Sequence, residues 1–109
     1  MLETKVLANI QNLFKENANK LDNILVQEVS PNNFKVVVTQ KNTTEHHVTA
    51  SIDFLNQFTK YNVSPENIVK HSFEFLLDRE PNTSILRKFD ITVISNYFPE
   101  YTQTVKKYF

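Results

Sequence analysis

Three side chains capable of acid–base or metal-binding chemistry fall on one face of a predicted helix. His71, Glu74 and Asp78 lie at positions i, i+3 and i+7, which aligns them along one side. Imidazole and carboxylate groups in this arrangement can bind a metal ion or transfer protons. The apolar residues Ile68 and Phe73 mark a different, inward face. We therefore interpret the three as a solvated polar face, and we predict no metal site.

Two other groups of reactive side chains lack the partners that catalysis needs. His46 and His47 follow a predicted hairpin turn, and adjacent residues of a strand point to opposite faces, so they cannot readily bind one ion. We expect a polar strand end there. No serine has a histidine and an acid at a spacing typical of hydrolases. Helix capping explains Ser64, and tight helix packing explains Ser72.

The amino-acid composition excludes most other kinds of catalytic or cofactor-binding site. The 109 residues contain no glycine, no cysteine and no tryptophan. Phosphate-binding loops and dinucleotide fingerprints need glycine where the backbone adopts positive φ or approaches a ligand closely. Thiol catalysis, disulfides and cysteine-bound zinc need cysteine. We therefore predict a protein that is not an enzyme and that uses no cofactor.

The charges balance, with twelve basic and twelve acidic residues. A net charge of zero argues against nucleic-acid binding, which usually needs a basic surface. Nucleic-acid binding or transcription control stays the first alternative, through a basic patch formed only on folding. No apolar run approaches the roughly 20 residues that span a bilayer, and the first residues lack the apolar stretch of a signal peptide. We expect one cytoplasmic domain, residues 1–109, without membrane contact.

Apolar periodicity predicts one helix followed by three strands. Over residues 2–17, apolar residues recur every three or four positions, as in an amphipathic helix. The period then changes to two, which predicts an antiparallel meander of three strands in the order 1-2-3. Asparagines in the turns can adopt positive φ in place of glycine. The predicted strands are 24–29, 34–41 and 45–51.

A register follows if opposite charges and apolar side chains are aligned across the turns. The predicted pairs are Val29 with Phe34, Val38 with Val48, and Lys41 with Glu45. The residues then expected on the core face are Leu25, Val29, Phe34, Val36, Val38, Val48 and Ala50.

The sequence pattern after the third predicted strand indicates short helices. An apolar stripe over 52–61 indicates the first. Ser64-Pro65-Glu66 supplies an N-cap serine, a proline at the first helical position and a carboxylate in the first turn, so the next helix begins there and runs to about Arg79.

Two more helical segments follow, a short turn over 82–89 and a last helix over 91–98 capped by Asp90. The predicted fold is α+β: an N-terminal helix, a three-stranded antiparallel meander, and three to four short C-terminal helices packed on one sheet face.

Both arginines of this lysine-rich chain, Arg79 and Arg87, lie in its last third. Guanidinium is a planar fork of donors that suits carboxylate pairing, so we interpret both as structural ion-pair residues. One alternative is an external carboxylate or phosphate. Another is a small-ligand pocket shared with His71 and Glu74. The candidate internal partners are Asp78, Glu80, Asp90 and Glu100.

Three aromatic rings, those of Tyr97, Phe98 and Tyr101, surround a helix stop at Pro99. We interpret them as core packing, with a tyrosine hydroxyl closing a loop. The alternative is an exposed aromatic patch that binds a protein partner.

The same region carries a pattern of short motifs. It reads S-F-E-F-L-L at 72–77, R-E-P at 79–81, S-I-L at 84–86, F-D at 89–90, V-I at 93–94 and Y-F-P-E-Y at 97–101. This pattern resembles a family of small uncharacterised bacterial proteins, over about the last third of the chain. No activity is known for that family, so the resemblance implies no catalytic residue.

We therefore predict a small regulatory or adaptor protein that acts through a protein partner. A homodimer through the strand 24–29 or the helix 2–17 is one specific possibility, because that strand is apolar on both faces. Small-ligand binding is the second alternative. The residues predicted to form ion pairs or the interaction surface are Arg79, Glu80, Arg87, Asp90, Tyr97, Phe98, Glu100 and Tyr101.

Overall fold

The computed structural model describes residues 21–109. The predicted helix over 2–17 therefore lies outside the described residues. The strands are β1 (Ile24–Ser30), β2 (Asn33–Thr39), β3 (Thr43–Thr49) and β4 (Lys88–Asp90). The helices are α1 (Ile52–Asn56), α2 (Pro65–Leu77), α3 (Val93–Tyr97) and α4 (Tyr101–Lys106), with 3-10 turns at Thr59–Tyr61 and Asn82–Ser84. The prediction of a mixed α+β fold is confirmed.

The sheet has four strands in the order β1-β2-β3-β4, so the prediction of three is wrong. β1, β2 and β3 form the expected antiparallel meander, and β4 adds to β3 in parallel. Only Asn82–Ser84 of the predicted helical segment 82–89 is helical. The backbone of Ile85 is already extended, and β4 follows. Pairing with β4 satisfies backbone groups of β3 that would otherwise lie at an edge.

The pairing register of the second hairpin differs from the predicted one by four residues. Val38 lies opposite Thr44 rather than Val48, and β2 ends at Thr39, so Lys41 does not pair with Glu45. The chain turns two residues earlier than predicted. Because an even displacement leaves every side chain on its own face, the inward residues of β2 and β3 were predicted correctly.

The first hairpin is shifted by one residue, which reverses the faces of β1. Phe34 lies opposite Glu28, and a bulge places Val29 outside the ladder. Ile24 is consequently buried, whereas Leu25 and Val29 are 63% and 53% exposed. Their assignment to the core was wrong.

One face of the sheet packs against α2 to form the core. As predicted, Ser64 caps this helix, accepting the N–H of Asn67 at 3.2 Å. The helix ends at Leu77, two residues before the predicted end. Its buried side chains are Ile68, Val69, Ser72, Phe73, Phe75 and Leu76.

The remaining predicted helices need correction at their ends. The segment 52–61 divides into α1 and a 3-10 turn, which Asn62 closes in the left-handed region at φ 54°. Asp90 does not cap a helix over 91–98. It ends β4, and its Oδ2 accepts the N–H of Thr92 at 3.1 Å, which turns the chain into α3. None of the helices within 21–109 has the length and apolar character needed to cross a bilayer.

Candidate functional site

An apolar groove of about 200 Å³ lies between the end of α2, the Asn82–Ser84 turn, β4 and α3. Aliphatic and aromatic side chains form most of its walls, and Glu80 is the one charged residue among them. The residues that shape it most are Leu76, Leu86, Phe89, Val93, Tyr97 and Phe98. Such a concave apolar surface can receive side chains of another molecule.

Two large apolar side chains of the groove face solvent. Leu86 is 49% exposed on the approach to β4, and Tyr97 is 69% exposed at the end of α3. Leu86 lies between the Asn82–Ser84 turn and β4, and Tyr97 ends α3, so the fold brings both to one groove. Exposed apolar side chains beside a concave surface are typical of binding sites.

A buried polar network fixes the Leu86 wall. His46 is fully buried rather than part of a polar strand end, which corrects the prediction. Its Nδ1 donates to the carbonyl of Leu86 at 2.7 Å, and its Nε2 lies 2.8 Å from the hydroxyl of Thr44. The amide of Asn82 donates to that same hydroxyl at 3.0 Å.

The protonation state of His46 follows from these partners. A carbonyl can only accept, so the ring proton lies on Nδ1 and Nε2 accepts from Thr44. Burial lowers the pKa of His46, against the opposing effect of its bond to Leu86. The ring is therefore neutral and tied into the fold. His47 points to the other face, as predicted, and lies 2.9 Å from Glu45.

Arg79 is held within the protein. Its guanidinium lies 3.5 Å above the ring of Phe75, and it donates to the Phe75 carbonyl at 3.0 Å. It also lies 3.5 Å from the carboxylate of Glu100. This arginine thus joins the end of α2 to the start of α4.

Arg87 differs, since its side chain is exposed and pairs with no acidic residue of the described chain. Asp90, a candidate partner, instead accepts hydrogen bonds from Thr49 and Thr92. Although burial would raise the pKa of Asp90, these bonds lower it overall. The charge of Arg87 therefore stays available at the surface near β4.

The aromatic segment divides between core and surface. Tyr101 is fully buried, and its hydroxyl lies 2.5 Å from that of Ser72. Ser72 in turn donates to the carbonyl of Ile68 at 2.7 Å, and burial raises the pKa of Tyr101. Phe98 is partly buried, edge-on to Phe75. Tyr101 is thus a core residue, as we predicted for the whole segment, whereas Tyr97 fits the alternative of an exposed aromatic patch.

His71 and Glu74 form a hydrogen-bonded pair at 2.8 Å. The pair is largely covered rather than solvated, and the rings of Tyr108 and Phe109 lie 5.5 and 5.0 Å from the imidazole. Neither residue lines the apolar groove, and neither arginine does. The four side chains that a small-ligand site would require do not meet there.

No potential metal site of three histidine, cysteine or acidic side chains occurs in the part of the chain that the structure describes. Every buried side-chain nitrogen and oxygen atom within that part has a hydrogen-bond partner. Within residues 21–109, no buried polar side chain is therefore left unpaired.

The sequence prediction missed Leu86 and Phe89 as site residues. Both belong to the motifs over 72–101, but β4 has three residues and is too short to show an alternating pattern. The carbonyl of Leu86 is held by His46, which lies 40 residues away in the sequence.

No protein-family model, curated protein or solved structure matches this chain.

Proposed function

We propose that this chain is a small, non-enzymatic, cytoplasmic adaptor or regulatory protein that binds a protein partner through the apolar groove. The observation that carries the proposal is the exposure of Leu86 and Tyr97 on the rim of a concave apolar surface. Interfaces concentrate much of their binding energy in a few anchors, among which tyrosine is enriched.

The packing beneath the groove supports this function. The Leu86 carbonyl is fixed by His46, and Phe89 packs at 6.1 Å against the buried ring of Phe73. A wall held by the core loses little conformational freedom when a partner binds, which favours affinity. Leu86, Phe89, Tyr97 and Phe98 all belong to the pattern over 72–101, so we extend the proposal to the bacterial family that the pattern resembles.

Selection from a displayed random-peptide library tests the proposal. We expect peptides enriched on the native chain to bind the double variant Leu86→Asp, Tyr97→Asp at least about tenfold more weakly, since a groove anchor contributes 1.4 kcal/mol or more. Ile52→Asp is the matched control, because Ile52 is 64% exposed on α1, outside the groove. Equal binding by the double variant, or no enriched peptide, would show that the groove is not a docking site.

We also propose, as a separate property, that β1 pairs with β1 of a second copy. Among the described strands, none covers the outer edge of β1, and Leu25 and Val29 are exposed beside it. A long apolar edge strand favours pairing with another chain. Sedimentation velocity over a concentration series should show a dimer that Val26→Pro disrupts, and a monomer at every concentration would exclude it.

A further inference from the structure

β4 leaves an unpaired sheet edge beside the groove. The carbonyl of Arg87 accepts the N–H of His47 at 2.8 Å, so Arg87 and every second residue after it direct their backbone groups toward β3. The N–H and C=O groups of Lys88 and Asp90 therefore point away from β3. Within residues 21–109, no strand pairs with that side of β4.

The two faces of β4 have different chemistry. Phe89 points inward, contacts Phe73 and lines the groove. Lys88 is exposed on the outer face, and Asp90 on that face is bonded to Thr49. A segment laid along β4 would thus place alternate side chains in the groove and beside Lys88.

We propose that the partner segment binds as an extended strand added to β4 and carries the pattern apolar–acidic–apolar. This inference rests on the proposed function of the groove. A residue directly across from Lys88 shares its face, where a carboxylate is favoured by the ammonium group. The two flanking side chains then enter the groove near Leu86 and Tyr97. Backbone bonds supply affinity in this mode, and side-chain pockets supply specificity.

The charges around β4 fix which position is acidic. Lys88 is the cation on the outer face of β4, and Asp90 on the same face is already bonded to Thr49 and Thr92. Glu80 is the charged residue in the groove wall and would repel a carboxylate placed there. An acidic residue therefore fits at the central position, and apolar residues fit on either side.

Three synthetic peptides test the mode of binding by NMR titration of the full chain. The first is acetyl-Ser-Thr-Leu-Glu-Leu-Thr-Ser-amide. The second has lysine in place of the central glutamate, and the third carries N-methyl groups on its three central amides, which removes their donors. We expect the first to bind most tightly and to slow amide exchange at Lys88 by about tenfold at saturation, because that N–H becomes bonded.

A charge-reversed protein supplies the matched control. Lys88→Glu alters an exposed side chain and should leave the fold intact, but it should reverse the preference between the glutamate and lysine peptides. Unchanged preference in this variant would overturn the acidic position of the pattern.

The remaining outcomes separate this inference from the groove itself. Equal affinity of the N-methylated peptide would overturn strand addition while leaving side-chain docking in the groove intact. If library peptides require Leu86 and Tyr97 yet none of the three designed peptides binds, the pattern is wrong and the proposed function stands. If no peptide of either origin binds, both fail.

Discussion

Tyr97 and Tyr101 lie on either side of Pro99, yet one is 69% exposed and the other is completely buried. The Tyr101 hydroxyl bonds to Ser72, and its ring stacks on that of Phe54 and meets that of Phe75 edge-on. Tyr97 instead lies along the groove wall. Because the chain turns between them, one tyrosine of this motif packs in the core and the other lies at the surface.

The two arginines show the same division. Arg79 contacts Phe75 and Glu100 and joins two helices, whereas Arg87 lies exposed beside the free edge of β4. Where the fold saturates its own polar groups, a substitution should change stability. Where polar groups are exposed and unpaired, a substitution should change partner binding and leave stability nearly unchanged.

The largest effect should come from truncating the buried tyrosine. Tyr101→Ala should lower the free energy of unfolding by about 3–5 kcal/mol, because it removes a packed ring and leaves a cavity. Tyr97→Ala, the matched control, should change it by no more than about 0.5 kcal/mol. Chemical denaturation of both variants measures the difference, and similar losses would remove the distinction between the two regions.

The next effect concerns the polar network beneath the groove. Asn82→Ala removes donors to Val38, Asn42 and Thr44. We expect a loss of about 1–3 kcal/mol, since buried acceptors are left without partners. Asn96→Ala, at an exposed position of α3, should be nearly neutral in the same denaturation experiment. A neutral Asn82 variant would mean that water replaces the amide.

The third effect is a pH dependence of stability that arises from His46. Its pKa is lowered in the folded state, so the unfolded chain binds the proton more readily. Stability should hold above the unfolded pKa of about 6.5 and fall below it, by up to about 1.4 kcal/mol per pH unit, until the lower folded pKa is reached. Thermal unfolding from pH 8 to 5 measures this slope. His46→Gln should reduce this slope, and an unchanged slope in that variant would assign it to other groups.

The smallest effect compares the two arginines. Arg79→Lys keeps the charge but loses the planar stack on Phe75 and the fork of donors, so we expect a loss of about 1 kcal/mol. Arg87→Lys should leave stability unchanged within the precision of denaturation. Equal values for the two would indicate that the Arg79 contacts contribute nothing measurable.

Alternation of apolar residues was a reliable guide where no extra residue entered a strand. The inward faces of β2 and β3 followed from Phe34, Val36 and Val48 even though the turn position was wrong. β1 failed because the bulge at Val29 shifts the pairing by one residue. A bulge arises from the pairing of two strands, so it cannot be predicted from the alternation of apolar residues in one strand.

The candidate site was only partly visible in the sequence. Glu80, Tyr97 and Phe98 were predicted as interaction or ion-pair residues, and all three line the groove. Leu86 was missed because its exposure depends on a strand too short to detect. His46 was misjudged because a polar strand residue becomes buried only when Thr44 and Leu86 offer bonds to its ring.

The parallel strand has a consequence for how the chain acquires its structure. Contacts within the meander join near neighbours, whereas Thr49 and Asp90 are 41 residues apart. Closing a long loop costs entropy before its contacts form, so we expect the meander to belong to the folding nucleus and β4 to dock after the rate-limiting barrier. Substitutions in the meander should then slow refolding, while those in β4 should mainly accelerate unfolding.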